Sequence, residues 1–202
     1  GHPEQLQIMY GIAGERWLPE LEVPWLPGYA NSAPVRVGNG AMAQRQLDVY
    51  GELILAISRL LLDVRFRTTA GVEGARLLVA GLMGQIERRL EEPDAGLWEL
   101  RGQKHLHTFT LLTHWAGARR AFDIASLLGL PDLREQSGRV VERASALLWE
   151  RCWNEEIGSL TQAAGVNNLD ASSLLALHFG FLRGDDPRAH RMVAAIEGQL
   201  RL

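Results

Sequence analysis

Leu111-Leu112-Thr113-His114-Trp115-Ala116-Gly117-Ala118-Arg119-Arg120-Ala121-Phe122-Asp123-Ile124-Ala125-Ser126-Leu127-Leu128-Gly129 carries apolar side chains at Leu111, Trp115, Ala118, Phe122, Ala125 and Leu128. Steps of three and four residues place them along one stripe of an α-helix. Gly129 stands where a helix stops, since a residue without Cβ takes the left-handed cap at no steric cost. The same period extends outward on both sides. Leu47, Tyr50, Leu53 or Ile54, Ile57 and Leu61 predict a helix over 41–62. Leu78, Leu82, Ile86 and Leu90 predict one over 71–92, ended by Pro93. Beyond Gly129, Pro131 suits a first helical position, and Val140 or Val141, Ala144, Leu148 and Cys152 continue its stripe. Asp170 is a plausible N-cap for a helix to Leu182, and Asp186-Pro187 opens a last one through Met192, Ile196 and Leu200. Only 157–162 reads as extended. The fold class is therefore all-α, built of helical hairpins.

The first 40 residues break this pattern. Five of the eight prolines (Pro3, Pro19, Pro24, Pro27 and Pro34) fall there, beside Gly11, Gly14, Gly28, Gly38 and Gly40. Such punctuation interrupts helix and strand alike, so a long irregular segment is expected. It holds Tyr10, Trp17, Trp25 and Tyr29, and long loops in small domains are often functional. Trp17 and Trp25 are candidates for substrate or rim contacts. Trp115, Trp149 and Trp153 fall at core-like helical spacing and read as packing residues.

Composition narrows the function. The chain has 202 residues, of which 47% are hydrophobic, enough for a sizeable core. Its 21 basic and 24 acidic residues leave a net charge of −3, which gives no electrostatic case for nucleic acid or an anionic membrane as partner. The single cysteine, Cys152, cannot form an internal disulfide. The longest apolar run, 171–182, is too short to span a bilayer and contains His178. The opening Gly-His-Pro-Glu-Gln lacks the features of a signal peptide, which points to the cytoplasm. No glycine-rich phosphate loop appears. His105-Leu106-His107 can present two imidazoles from a strand, but no third ligand follows at metal-site spacing, so neither metal nor cofactor is expected.

The stretch richest in chemistry is Pro93-Asp94-Ala95-Gly96-Leu97-Trp98-Glu99-Leu100-Arg101-Gly102. A carboxyl desolvated by an adjacent indole stays protonated nearer neutrality, as a general acid must. Trp98 can stack on a sugar ring, and Arg101 can bond hydroxyls or orient the acid. The same residues also fit a packed loop tryptophan with Glu99 paired to Arg101 on the surface.

This segment resembles glycoside hydrolase family 15, which includes glucoamylases, glucodextranases and bacterial trehalases. Three other stretches resemble the same family in the same order. They are Leu6-Gln7-Ile8-Met9-Tyr10-Gly11-Ile12 with Gly14-Glu15-Arg16; Pro34-Val35-Arg36-Val37-Gly38-Asn39-Gly40-Ala41 running into Gln46-Leu47-Asp48-Val49-Tyr50-Gly51-Glu52; and Trp153-Asn154-Glu155 through Thr161-Gln162 to Leu169-Asp170-Ala171-Ser172. The resemblance implies helical hairpins forming part of an (α/α)6 toroid with the active site in a pit at one end. It implies inverting, exo-acting hydrolysis of an α-linked glucoside, so the partner is an oligosaccharide or disaccharide. Glu99 matches the general acid, and Leu97 and Trp98 match its neighbours at the sugar subsite. Arg101 matches the arginine of the bacterial Trp-Glu-x-Arg-Gly form. Asp48 and Arg36 fall in motifs resembling substrate-contacting positions.

The chain also departs from the family. The Arg-Asp motif that grips the terminal sugar would lie upstream of Gly1, and the catalytic base downstream of Leu202. Residues 1–202 are thus expected to be one segment of the catalytic domain, incomplete at both ends. Glu20, Glu22, Glu155 or Asp170 could stand opposite Glu99, but no motif supports any of them. A rival reading is a non-catalytic helical module that binds carbohydrate or a protein, or self-associates through exposed helix faces.

Overall fold

The irregular first segment runs to Leu47, and the helices follow from there. A computed structural model of the chain describes residues 2–66, 69–99 and 102–200. The N-terminal part holds short 3-10 turns and a two-residue antiparallel pair, β1 (Leu21–Glu22) against β2 (Arg36–Val37). Asn39 then caps a 3-10 turn, Gly40–Ala43, by accepting from the Ala41 amide. This turn displaces the start of the first helix from the expected 41 to 48, because Gln44 is extended and ends the turn.

Helix α1 (Asp48–Leu62) is followed by α2 (Thr69–Arg89), α3 (Thr108–Leu128) and α4 (Pro131–Leu147). Gly129 takes φ 66 and its amide bonds Ala125 O, as the sequence stop predicts, and Pro131 opens α4. The four helices form two layers. His114 of α3 reaches Leu47 O at the head of α1, and Gly51 of α1 meets Thr113 and Gly117 of α3. These pairs advance together, so α1 and α3 run parallel. In the other layer Glu87 of α2 bonds Gln136 and Arg139 of α4, and Glu91 just past α2 bonds Arg143. These pairs advance together as well. Parallel neighbours joined through a returning helix are the repeat unit of an α/α toroid, of which this chain forms an arc.

The core lies between the layers. Leu47, Ile54, Leu82, Met83, Ile86 and Leu112 are fully enclosed within one continuous apolar cluster. Each contributes roughly 1.5–3 kcal/mol by leaving water. A π-helical turn, Leu148–Cys152, leads from α4 into a hairpin of β3 (Trp153–Asn154) and β4 (Ser159–Leu160), the extended stretch expected near 157–162. Trp149 therefore sits on the π-helical turn, while Trp153 sits on a strand rather than on a helix. They still pack as expected, since Trp149 stacks on Phe181 at 4.9 Å and meets Trp153 edge-on at 5.5 Å. Trp115 meets Phe181 edge-on.

The expected helix from Asp170 to Leu182 is much shorter. Asp170 does cap it, accepting from Ser172 N, but the segment is a 3-10 turn, Ala171–Leu174, and a four-residue helix α5 (Leu175–His178). Gly180 at φ 78 turns the chain out of helical geometry there. Helix α6 (Pro187–Leu200) closes the chain against the β3–β4 hairpin, where Arg191 bonds Glu155. No helix among the described residues is long and apolar enough to cross a membrane. A recess of about 950 Å³ lies between the later turns of α1, the middle of α3 and residues 178–180.

Candidate functional site

The turn bearing Glu99 is anchored from below by Asp94, which is almost wholly buried. Asp94 Oδ2 accepts from Leu47 N at 2.7 Å and from Thr110 Oγ1 at 3.0 Å, joining the heads of α1 and α3. The Asp94 backbone exchanges two hydrogen bonds with His105, at 3.0 and 3.1 Å. One carboxylate thus holds the root of the turn to two helices, and its own backbone pairs with the returning strand. Burial pushes the Asp94 carboxyl up and the His107 imidazole down, so both are driven toward their neutral forms.

Gly96 makes the next step possible. Its φ is +70, and an added Cβ would lie 2.6 Å from His107 Nε2. Only glycine satisfies both the left-handed backbone and the ring pressed against it. Leu97, Trp98 and Glu99 then project from the surface. Glu99 itself takes φ 52, an uncommon conformation for a residue with a Cβ. It is held there by Glu99 N on Gly96 O at 3.3 Å and by Gln44 Nε2 donating to Glu99 O at 3.1 Å.

Glu99 lines a cleft of about 140 Å³ with Asn39, Gly40, Ala41 and Gln44, a space for about four or five waters. The irregular N-terminal segment therefore forms one wall of the candidate site. Glu20 Oε2 accepts from Gly40 N and its Oε1 pairs with Arg36 at 3.2 Å, while Arg36 also pairs with Glu22 at 3.1 Å. Arg36 thus braces the β1–β2 loop behind the cleft and does not line it. Asp48 is also absent from the lining. It is 4% exposed, and burial, with Glu52 and Asp94 adding repulsion, lifts its carboxyl to about 7.

Glu99 is exposed, whereas the sequence argument for a desolvated acid supposed an enclosing indole. The indole is turned to Asp170, whose Oδ2 accepts from Trp98 Nε1 at 2.5 Å, and Trp98 as a whole remains 58% exposed. Arg101, the remaining sequence candidate, lies outside the described residues. Trp17 and Trp25 are exposed on the N-terminal segment.

None of the carboxylates considered as partners for Glu99 is free of other bonds. Glu20 and Glu22 serve Arg36, Glu155 bonds Arg191 and Trp153, and Asp170 serves Trp98 and Ser172. His105 and His107 sit edge-on at 5.8 Å. Among the described residues no group of three or more His, Cys, Asp or Glu is placed to hold a metal ion. Sequence reading missed Gln44, which carries no motif signal, and the anchoring role of Asp94, for which Pro93-Asp94 after a helix was the only hint.

The geometry can be set beside known proteins. Residues 2–202 match the family described as Glycosyl hydrolases family 15. The chain is 36% identical to a trehalase of Mycolicibacterium smegmatis, over 99% of this chain and 29% of that protein. A trehalase of Mycobacterium tuberculosis is 35% identical over 98% of this chain and 28% of its own length. The chain thus spans somewhat under a third of these curated relatives. A solved wild-type glycosidase superposes with a TM-score of 0.65 at 20% identity, covering 86% of this chain and 46% of that one. A variant glycosidase solved in complex with glucose gives 0.63 at 21% identity, with the same coverage. At that identity the likeness speaks for the fold.

Proposed function

The chain belongs to glycosyl hydrolase family 15, and on that premise we propose that it is the acid-bearing central segment of a longer catalytic domain that hydrolyses an α-linked glucoside with inversion. Trehalose is the first substrate to test, because the relatives at 35% and 36% identity are named trehalases. The observation carrying the reading is the position of Glu99. It stands exposed on a turn whose backbone is held by Gln44, Gly96 and Asp94, at the mouth of a polar cleft.

In this reading Glu99 gives its proton to the interglycosidic oxygen as the C1–O bond breaks. A water on the opposite face of the sugar bonds to C1 and passes its proton to a second carboxylate. Proton exchange with solvent then resets both groups. Inverting geometry needs the two carboxyls about 6.5–9.5 Å apart. The engaged state of Glu20, Glu22, Glu155 and Asp170 favours a base supplied from outside residues 1–202. Trp98 and Leu97 offer apolar surface beside the acid, suited to the carbon face of a pyranose.

The test is glucose release by the full-length protein from trehalose, maltose, isomaltose and dextrin, with Glu99→Gln alongside. The expected result is release from one linkage class, cut by about three orders of magnitude in the variant without loss of folding. Proton NMR of the first products should show β-glucose formed at the attacked centre. Substantial turnover by Glu99→Gln sinks the assignment.

A further inference from the structure

Asp170 lies 72 residues beyond Trp98 in the chain, yet its carboxylate meets the Trp98 indole. It is 8% exposed and divides its two oxygens between two tasks. Oδ1 accepts from Ser172 N at 2.8 Å, capping the turn Ala171–Leu174. Oδ2 accepts from Trp98 Nε1 at 2.5 Å. We propose that Asp170 is the positioning residue of the sugar platform: it fixes the plane of Trp98 beside Glu99, so that the exposed ring meets the glucosyl unit in one orientation. The proposal rests on the reading of Glu99 as the acid.

Three features carry this. First, the cap rigidifies the carboxylate before the indole reaches it, because Oδ1 is tied to the backbone of its own turn. Second, Trp98 is 58% exposed and sits on a surface turn, so neighbouring packing alone gives it little restraint, and a charge-assisted bond to the N–H is strong by comparison. Third, the segment bearing Asp170 is itself tied to the acid turn. Thr108 N donates to Gln162 O at 3.0 Å, His107 bridges Ala163, and Gln162 N donates to Asn168 O at 2.7 Å. The route from Glu99 through Gly96 and His107 to Asp170 is continuous, so platform and acid share one support.

The two tasks of Asp170 can be separated chemically. Asp170→Asn keeps an oxygen for the Ser172 cap but turns an NH2 toward the indole N–H, two donors facing each other. Asp170→Ser is also a good N-cap and too short to reach Trp98. Trp98→Phe keeps an aromatic face and removes the N–H; being exposed, it leaves the fold intact.

In the full-length enzyme, with the substrate found to be hydrolysed, each single variant should lower kcat/KM about ten-fold or more, with the thermal midpoint close to wild type. Asp170→Asn added to Trp98→Phe should cost little further, because the bond is already absent. Full additivity of the two losses overturns the proposal, since Asp170 would then act independently of the Trp98 N–H. Wild-type kcat/KM in Trp98→Phe overturns it as well, even if Asp170→Asn proves unstable. Failure of the acid reading shows separately, as retained turnover in Glu99→Gln with the Asp170–Trp98 coupling judged on its own.

Discussion

Asp48 and His114 both adjoin Leu47 at the head of α1, and both are enclosed. His114 Nε2 faces Leu47 O at 2.7 Å while its Nδ1 has no partner, so a second proton would sit on a buried, unpaired nitrogen. Burial accordingly lowers the imidazole from 6.5 to about 4. Between these values the unfolded chain binds the proton and the folded one does not. Stability is therefore lost as pH falls from about 6.5 to 4. Asp48 runs the other way. Raised from 3.8 to about 7, it holds its proton when folded and releases it when unfolded, so stability is lost as pH rises through that window. The two slopes oppose each other where they overlap. Asp48→Asn, which keeps the oxygen that accepts from Val49 N, should stabilise the protein at neutral pH by up to about 4 kcal/mol and steepen its loss of stability on acidification. His114→Gln, which keeps a donor for Leu47 O, should flatten that loss. Thermal midpoints across the acid range check both; parallel profiles for wild type and variants would contradict the assignment.

At the level of the elements, α1 and α3 approach closely only because Gly51 and Gly117 face each other. A Cβ on Gly51 would lie 2.3 Å from Thr113 O, and one on Gly117 2.9 Å from the Gly51 Cα. Those neighbours are backbone and cannot rotate away, so an added methyl must push the helices apart. Gly51→Ala should cost about 2–4 kcal/mol by urea or thermal unfolding. Gly74→Ala, on an α2 position with open space around it, should instead gain about 0.5–1 kcal/mol from helix propensity. Equal effects at the two sites would refute close helix contact as the cause. The helices themselves were legible in the sequence, because of their apolar stripes and of local punctuation such as the stop at Gly129 and the start at Pro131. The start of α1 was not, since Asn39 diverts 40–43 into a 3-10 turn of similar local pattern. Nor was the brevity of α5, where Leu174 to Leu177 keep a helical look until Gly180 ends it. In the site, the Trp98-Glu99 pair was legible as a motif. Its supports were hidden because Asp94 to Leu47 and Trp98 to Asp170 span 47 and 72 residues, beyond any local pattern.

Across the whole molecule, the candidate site sits where α1 and α3 begin, and the recess of about 950 Å³ opens toward the opposite end of the same two helices. The outward layer, α2 and α4, is laced by exposed pairs such as Arg139–Glu87 and Arg143–Glu91, which add little stability each. The candidate site therefore lies at one end of the α1–α3 layer, with the Glu99 turn, the Asn39–Gln44 wall and Trp98 gathered there. What the proposed inversion further requires is a carboxylate free to take a proton from water across the sugar. Asp94 is enclosed and doubly bonded, and Asp170 is committed on both oxygens. Releasing Asp170 for that task would loosen Trp98, and releasing Asp94 would loosen the heads of α1 and α3. Residues 1–202 expressed alone should thus release no more glucose from trehalose than their own Glu99→Gln variant. The full-length protein should do so readily under the same conditions. Release by the isolated segment that vanishes on Glu99→Gln would place a working base within these residues and overturn the division of labour argued above. Glucose measured against time for the three proteins, at matched concentration, decides between the two.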